Sequence, residues 1–210
     1  MIPGPAEPAA LAVFAKAPIP GYAKTRLIPV LGPEGAASLQ VRLTERALQV
    51  AAGADLRPVT LWCAPDTSHV SFQTLAERFG CRLRAQIGKD LGARMLAAFA
   101  EAPRRLVLIG TDCPCLAPGD LQTAAAALRE GADAVIAAAE DGGYGLIGAS
   151  RAIPSLFEEM PWGTDKVAAL TRERAEAAGL RLHELRSVWD VDTPEDYARL
   201  VREGLLGELS

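Results

Sequence analysis

The stretch Leu106-Val-Leu-Ile-Gly-Thr-Asp-Cys-Pro114 decides the fold class. The four consecutive apolar residues at its start predict a short strand that is buried on both faces of a sheet. Apolar residues with helical spacing precede this strand at Leu91 to Glu101 and follow it at Leu121 to Arg129. A buried strand between two helices is typical of a parallel sheet that is covered by helices on both faces.

The same order of strand and helix repeats through the first two thirds of the chain. Further apolar runs predict buried strands at Leu11 to Ala15, Val59 to Cys63, Cys81 to Ala85 and Ala134 to Ala138. Helical spacing at Glu34 to Ala52 and at Ser71 to Phe79 separates the first three of these strands. We therefore predict four successive strand, helix, strand crossovers, with a long loop over Pro18 to Pro33.

The pattern changes after the strand that ends at Ala138. Gly145-Leu-Ile-Gly148 follows after a turn too short for a parallel crossover, which predicts an antiparallel or mixed addition to the sheet. A helix over Lys166 to Ala178, a strand over Arg181 to Leu185 and a helix opened by Thr193-Pro194 complete the chain. We predict one three-layer α/β/α domain over residues 11–210 with a mostly parallel mixed sheet, after a loose tail over residues 1–10.

The composition excludes several classes of function. The 210 residues include 22 basic and 26 acidic side chains, so the chain lacks the basic excess that nonspecific binding to nucleic acid requires. No apolar run reaches the roughly 20 residues that span a bilayer, and the N-terminal residues lack the pattern of a signal peptide. Four scattered cysteines do not form a disulfide scaffold. We expect a cytoplasmic enzyme or binding module with small-molecule partners and neither nucleic acid nor membrane as a partner.

The loop after the first strand carries candidate nucleotide-binding residues. Ligands of open α/β sheets lie outside the carboxyl ends of the strands, where such loops are found. This loop brings cations, a hydroxyl and a glycine together without any acid, which suits phosphate groups. Its candidates are Lys16, Gly21, Lys24, Thr25 and Arg26. It matches neither a Walker A loop nor a dinucleotide fingerprint, and a solvated basic loop is the alternative.

Three aspartates follow strands and are candidate metal ligands. Asp112 stands three residues after Ile109, the last residue of the apolar run. Asp190 and Asp192 are two residues apart, so in extended backbone their side chains point the same way and can share one ion. The alternatives are that Asp112 caps a turn or helix and that Asp192 with Thr193 caps the last helix.

Three further segments contain candidate binding residues. Gln86, Gly88, Asp90, Gly92 and Arg94 follow the third strand and are candidates for nucleotide binding, although Asp90 is also a good N-cap. Two segments are candidates for the second substrate: Asp141 to Tyr144, which reads equally as a plain tight turn, and a loop around Trp162 whose aromatic residue is typical of packing. The candidates there are Asp141, Gly142, Gly143, Tyr144, Trp162 and Thr164.

Taken together, these segments resemble a known family. The motifs Phe14 to Leu27, Gln86 to Met95, Gly110 to Pro114, Asp141 to Tyr144 and Asp190 to Asp196 occur in the order found in the bacterial glycosyltransferase-like family called transferase 1, rSAM/selenodomain-associated. That family is similar to 2-phospholactate guanylyltransferase and to molybdenum-cofactor nucleotidyltransferases, which share the GT-A, or nucleotide-diphospho-sugar transferase, fold. The resemblance implies this fold for residues 11 to about 203.

The resemblance also implies a metal-dependent transferase that uses a nucleoside triphosphate or a nucleotide sugar. It implies Mg²⁺ or Mn²⁺ held by Asp112 and an acid of the last motif, with Asp192 preferred over Asp190. Lys24 and Arg26 would then neutralise the departing phosphates, and Asp141 would orient or deprotonate the acceptor. A noncatalytic nucleotide-binding module for regulation or assembly is the alternative. The base, the acceptor and the oligomeric state stay open.

One position departs from the family pattern. Gly145 stands where the resemblance leads us to expect a bulky aromatic residue after the Gly-Gly-Tyr step. We therefore expect the acceptor side of the site to be widened or partly empty in this chain.

Overall fold

The computed structural model describes residues 9–102 and 104–207. Most of the tail predicted over residues 1–10 lies outside this range. Ala9 and Ala10 are buried, and Ala10 is the first residue of the first strand. The ordered strand thus begins one residue earlier than the apolar pattern indicated.

Every helix and strand expected from the sequence is present. The strands are β1 (Ala10–Lys16), β2 (Val59–Ala64), β3 (Arg82–Ala85), β4 (Leu106–Gly110), β5 (Ala134–Ala138), β6 (Tyr144–Ala149) and β7 (Leu182–Glu184). The helices are α1 (Ile28–Gly53), α2 (Val70–Phe79), α3 (Leu91–Glu101), α4 (Pro118–Arg129), α5 (Val167–Ala177) and α6 (Pro194–Glu203). Short 3₁₀ turns cover Thr25–Leu27 and Pro154–Leu156.

The seven strands form one sheet in the order β3-β2-β1-β4-β6-β5-β7. All neighbouring pairs are parallel except the two that involve β6, which runs antiparallel to β4 and to β5. The expectation of an antiparallel addition is therefore confirmed. β6 does not extend the edge of the sheet, however, but lies between β4 and β5.

Helices cover both faces of the sheet, as the buried strands predicted. Leu11 and Val13 of β1 face a core formed with α1, α2 and α4, whereas Ala12 and Phe14 face a core formed with α3 and α5. The alternation follows from the two-residue period of a strand. A third apolar cluster joins α1 and the segment before α6: Leu27, Leu39, Leu43, Trp189, Val191 and Leu200.

The long loop predicted over Pro18 to Pro33 is shorter than expected. A 3₁₀ turn begins at Thr25 and α1 begins at Ile28, with a non-helical residue at Gly32 (φ 69°, ψ 169°). Pro33 lacks an N–H group and is tolerated in a first turn, so the helix restarts there after the kink. Proline and glycine were read as loop signals, but here they mark a short helical turn followed by a long helix.

The described part of the chain contains no helix that is long and apolar enough to cross a membrane.

Candidate active site

The direction in which strands join the sheet reverses between β1 and β4, so the ligand crevice is expected at this point. β2 lies on one side of β1 and β4 on the other, so the connections leaving β1 and β4 diverge. Open α/β sheets bind their ligands at such a switch point, outside the carboxyl ends of the strands. The segment before β6 lies at the same edge because β6 is antiparallel, and Ala139 pairs with Val188 of the segment before α6.

Lys24 connects three of the segments at this crevice. Its Nζ donates to the carbonyl of Val191 at 2.6 Å and lies 2.8 Å from Oδ1 of Asp112. Its side chain is only 4% exposed, whereas that of Asp112 is 50% exposed. The Val191 N–H donates to the Asp112 carbonyl at 2.8 Å. The lysine thus fixes the loop after β1 against the loop after β4 and the segment before α6.

Arg26 lies in a more open position. Its Nη1 donates to Oδ2 of Asp192 at 2.5 Å, and the two side chains are 72% and 41% exposed. Exposed pairs of this kind contribute little to stability, so this pair can open at low cost. Both cations predicted to bind phosphate are therefore paired with carboxylates that were predicted to bind metal.

The start of α6 is capped by other residues than Asp192. Oδ2 of Asp196 accepts from the Thr193 N–H at 2.8 Å and from the Asp192 N–H at 3.1 Å. Thr193 Oγ1 accepts from the Asp196 N–H at 3.3 Å, which completes a reciprocal capping box. Thr193 is thus the N-cap, as the sequence indicated. The side chain of Asp192 takes no part in the cap and pairs with Arg26.

Asp190 is the centre of a group of carboxylates. Partial burial, together with the negative charges of Asp141, Asp112 and Asp192, raises the pKa of Asp190 to about 6. Among the described residues no lysine or arginine forms an ion pair with Asp190. Negative charge is therefore concentrated around Asp190 without a cation of its own.

The donors of this group suit a hard divalent cation, because Mg²⁺ and Mn²⁺ favour carboxylate oxygens and a cation would relieve the repulsion at Asp190. Their present side-chain positions do not form a finished site. Within residues 9–102 and 104–207, no three His, Cys, Asp or Glu side chains are close enough together to hold a metal ion. In this arrangement Lys24 and Arg26 pair with oxygens of Asp112 and Asp192.

Replacing Asp190 with asparagine should stabilise the metal-free protein at neutral pH. An unfolded aspartate loses its proton near pH 4 and the folded one near pH 6, so in between the folded state binds more protons and its stability falls as pH rises. The Asp190→Asn variant has no carboxyl group at this position, so its stability does not fall in this way as pH rises. Because Asp190 is partly exposed, we expect a gain on the order of 1 kcal/mol, or roughly 2–4 °C in Tm.

Thermal unfolding in EDTA between pH 4 and pH 7.5 measures this effect. The difference in Tm between Asp190→Asn and the unaltered protein should grow from pH 4 to pH 6 and stay constant above pH 7. A variant that is less stable at pH 7, or a difference in Tm that is independent of pH, would show that the charged carboxylate of Asp190 does not destabilise the folded protein.

The side chain of Gln86 has a defined orientation at the ends of β1 and β2. Its Nε2 donates to the carbonyls of Ala15 at 3.2 Å and Trp62 at 2.9 Å. Both partners can only accept, so the amide nitrogen must face them and Oε1 points away. Oε1 has no partner among the described residues and is not buried. Gln86 therefore offers a ligand one acceptor in a fixed position.

The rest of the segment after β3 shapes the start of α3. Asp90 is the N-cap of this helix, since its Oδ1 accepts from the Ala93 N–H at 2.8 Å. Arg94 Nε donates to the Gly88 carbonyl at 3.2 Å. A Cβ at Gly92 would collide with the Phe157 carbonyl and lie 2.7 Å from Nε1 of Trp162. Gly92 thus lets Trp162 pack directly on α3, and Asp90 has the capping role that its position allowed.

The remaining candidates of the first loop, one cation, one hydroxyl and one glycine, are exposed. Lys16 ends β1 with an exposed side chain, Thr25 opens the 3₁₀ turn, and Gly21 has a φ of 83° that favours glycine. These three residues lie on the same loop as Lys24, and all are accessible to a ligand.

The residues predicted to bind the acceptor lie together around the turn before β6. Asp141 Oδ1 accepts from the Gly143 N–H at 2.8 Å, and a Cβ at Gly142 would collide with the backbone of Asp165. Thr164, in the same loop as Asp165, donates its hydroxyl to the Pro161 carbonyl at 2.8 Å. The turn 141–143 therefore packs on the loop that precedes α5.

Tyr144 lies beneath this turn. Its ring meets the ring of Trp162 edge to face, with centroids 6.2 Å apart. Burial raises the pKa of the Tyr144 phenol, and its hydroxyl has no partner within the described residues. The group therefore stays protonated at neutral pH, so it can donate a hydrogen bond but is not a base.

The expectation of extra space at Gly145 is wrong. A Cβ at this position would lie 2.5 Å from Sγ of Cys113 and 2.9 Å from the side chain of Val188. The volume that a larger residue would occupy is thus already filled by Cys113, on the loop after β4, and by Val188. Gly145 allows these segments to pack closely and does not widen the acceptor side.

Several residues at the site were missed in the sequence. Val191 contributes only backbone groups, which no side-chain pattern could indicate. Gln40 donates to Thr111 Oγ1 at 3.0 Å and supports the residue before Asp112 from within α1. Glu140 and Arg199 pair at 2.8 Å beside the acidic group. Asp196 had a signal, because an acid three residues after a threonine cap completes a capping box.

The fold and the polar crevice at the switch point define the class of this protein, which is a transferase with the nucleotide-diphospho-sugar transferase fold. More particularly, the chain belongs to the DUF2064 family, described as an uncharacterized protein conserved in bacteria, whose pattern matches residues 47–164.

Two relatives resemble the chain over nearly its whole length. Phosphoenolpyruvate guanylyltransferase of Rubrobacter xylanophilus is 32% identical over 205 residues, which cover 92% of this chain and 96% of the relative. A crystal structure from Desulfovibrio desulfuricans G20, of a protein assigned to the nucleotide-diphospho-sugar transferases, is also 32% identical and has a TM-score of 0.83. The match covers 94% of this chain and 88% of that one.

A more distant structure shares the fold alone. A protein of Mycobacterium tuberculosis H37Rv, solved in complex with manganese, is 19% identical with a TM-score of 0.56. The match covers 94% of this chain and all of that one.

Proposed function

We propose that the protein is a nucleotidyltransferase that depends on a divalent metal. In this proposal it transfers the nucleoside monophosphate of a nucleoside triphosphate, with GTP as the first candidate, to a phosphorylated carboxylic acid such as phosphoenolpyruvate. The observation that carries the proposal is the convergence of Asp112, Asp141 and Asp190 beside the buried cation of Lys24 at the switch point. The guanylyltransferase relative, which matches nearly the whole chain, supports the choice of substrates.

Asp112, Asp190 and Asp192 are the proposed ligands of Mg²⁺ or Mn²⁺. Asp112 and Asp192 follow from the sequence motifs, and Asp190 joins them because it carries an unpaired charge in the same group. When bound, the metal would neutralise charge on the phosphate oxygens of the nucleotide. The manganese complex of the mycobacterial fold relative is consistent with such a site.

Lys24 and Arg26 are proposed to neutralise the triphosphate. Lys24 is held in place by Asp112 and Val191, so its charge is oriented before the substrate arrives. Arg26 pairs with Asp192 in an exposed position, and a phosphate can take over its guanidinium when Asp192 turns to a metal. Lys16, Gly21 and Thr25 complete the proposed phosphate loop.

The proposed reaction forms one bond and breaks one. A phosphate oxygen of the acceptor attacks the α-phosphorus of the nucleotide, the bond to the β-phosphate breaks, and pyrophosphate leaves with the electron pair. A phosphate acceptor at neutral pH is largely deprotonated and needs no base. Asp141 would therefore orient the acceptor together with Tyr144, whose protonated hydroxyl can donate to it. Gly142, Gly143, Trp162 and Thr164 shape this side of the site.

The remaining candidates are proposed to hold the nucleotide from the segment after β3. Gly88, Asp90, Gly92 and Arg94 act by setting the path of this segment and the start of α3. Gln86 acts directly, since its fixed Oε1 can accept from an N–H of the base.

Replacing Gln86 with methionine should weaken binding of the base and leave binding of the phosphates unchanged. We expect the Kd for GTP to rise about tenfold, which corresponds to one hydrogen bond, with the Kd for pyrophosphate unchanged. Isothermal titration with each ligand in the presence of Mn²⁺ measures both values. If the affinity for pyrophosphate falls as far as that for GTP, the residue supports the sheet edge and does not bind the base.

Release of pyrophosphate from GTP and phosphoenolpyruvate, with Mg²⁺ or Mn²⁺ and with EDTA as the control, tests the proposal. Release that needs the metal and both substrates would support it. The second candidate is transfer from a nucleotide sugar, which the structure from Desulfovibrio desulfuricans favours, and it predicts release of a nucleoside diphosphate instead. Binding of nucleotide without turnover of either donor would support the noncatalytic alternative.

A further inference from the structure

Arg199 of α6 makes three polar or aromatic contacts at once. Its Nη1 donates to Glu140 at 2.8 Å, and its Nε donates to Glu203, one turn along the helix, at 3.0 Å. Its guanidinium carbon lies 4.3 Å from the centre of the Trp189 ring. The side chain is 32% exposed. A planar guanidinium can satisfy all three partners in fixed directions, which a lysine ammonium cannot do.

Two of these partners adjoin the acidic group of the active site. Glu140 is the residue before Asp141, and Trp189 is the residue before Asp190. One guanidinium therefore contacts the chain neighbour of each of two carboxylates that converge at the crevice. The other partner, Glu203, lies on α6 itself and fixes the direction of the arginine side chain.

The two acidic segments need to be held together. Asp141 and Asp190 each follow the paired residues Ala139 and Val188 by two positions, and like charges on adjoining segments repel each other. Two backbone hydrogen bonds join the segments, both at Val188: its N–H donates to the Ala138 carbonyl at 2.9 Å, and its carbonyl accepts from the Glu140 N–H at 3.0 Å. On the other side of Asp190, the backbone groups of Val191 bond, among the described residues, to Asp112 and Lys24 and not to the segment of Asp141. Arg199 adds a second attachment one residue nearer to Asp190.

We infer that Arg199 is a positioning residue, which holds the segment of the proposed metal ligand Asp190 in place against the segment of Asp141 that orients the acceptor. The inference rests on the proposed function. Arg199 touches neither substrate nor metal in this arrangement, and it acts through Glu140 and Trp189.

The test compares three variants for Mn²⁺ dependence. Arg199→Met removes the contacts, Arg199→Lys keeps the charge beside Glu140, and Arg172→Met is the matched control. Arg172 forms an equally exposed, doubly hydrogen-bonded pair with Glu184, between α5 and β7. For each variant the readouts are the Mn²⁺ concentration that gives half of the GTP-dependent rise in Tm, and kcat and KM for pyrophosphate release.

Arg199→Met should raise the half-saturating Mn²⁺ concentration about tenfold, the usual effect of losing a residue that orients metal ligands. KM for GTP should rise more than kcat falls, because the site is displaced and its chemical groups are intact. Arg199→Lys should recover part of the loss, and Arg172→Met should match the unaltered protein. If Arg199→Met fails to fold, Glu140→Gln, which weakens one contact only, should give a smaller shift in the same direction.

Two results would contradict the inference in distinguishable ways. If the unaltered protein responds to Mn²⁺ and Arg199→Met responds identically, Arg199 does not position the site, whatever its effect on Tm. If the unaltered protein shows no response to Mn²⁺ with GTP, the proposed function fails and this inference fails with it.

Discussion

Replacing Asp112 with asparagine should lower metal-dependent pyrophosphate release at least a hundredfold and should also lower the stability of the protein by about 3 kcal/mol. The loss is large because the carboxylate is a proposed metal ligand, and the charge that it contributes acts on phosphates in a partly enclosed site. Stability falls because the ammonium of Lys24, whose side chain is 4% exposed, keeps an oxygen to donate to but loses the negative charge that compensates it.

Asp133→Asn provides the control for this prediction. Asp133 precedes β5 at the opposite edge of the sheet, and its Oδ2 accepts from the Arg181 N–H at 3.0 Å. This variant should keep full activity. The Mn²⁺-dependent rise in Tm with GTP should disappear in Asp112→Asn and persist in Asp133→Asn. If the Asp112→Asn protein retained the full rise in Tm, Asp112 would not be a ligand of the metal.

Replacing Lys24 with methionine should weaken both folding and nucleotide binding. Loss of one partner of a buried pair costs about 3–5 kcal/mol when both groups are buried. Lys24 is 4% exposed but Asp112 is 50% exposed, so water can solvate the carboxylate that is left without its partner. We therefore expect a stability loss of about 2 kcal/mol. This free energy corresponds to a fall in Tm of roughly 4–8 °C. The Kd for GTP should rise tenfold or more, since a charge-assisted contact is lost.

Arg26→Met is the matched comparison for Lys24→Met. Both cations are proposed to bind the triphosphate, but Arg26 and its partner Asp192 are largely exposed. Arg26→Met should therefore raise the Kd for GTP with a change in Tm of no more than about 2 °C. Thermal unfolding and isothermal titration of both variants measure the contrast. If Lys24→Met binds GTP as tightly as the unaltered protein, the lysine has only a structural role.

The demands of the proposed active site and of stability oppose each other in this chain. Asp190 is charged, partly buried and surrounded by other carboxylates, an arrangement that costs free energy in the metal-free protein. Such a cost is expected where groups are arranged for a ligand that compensates them. From this arrangement we expect Asp190→Asn to raise the stability of the protein and Asp112→Asn to lower its activity.

The sequence by itself determined the class of fold and the elements at the site. Apolar runs and helical periodicity are local signals, and they located the strands and helices together with the antiparallel orientation of β6. The cap of α6 was equally readable, because Thr193, Pro194 and Asp196 are close in sequence. The candidates after each strand could be named because parallel strands bring their carboxyl ends to one edge.

Only the tertiary structure decided how these candidates are paired. Lys24 reaches Val191 across 167 residues of sequence, and Arg26 reaches Asp192 across 166. The filling of the space at Gly145 by Cys113 depends on β6 lying beside β4. Such contacts follow from strand order, which is set by the packing of all layers together. Local periodicity contains no information on which distant segments become neighbours, and for that reason the sequence indicated candidate residues for the site but not their partners.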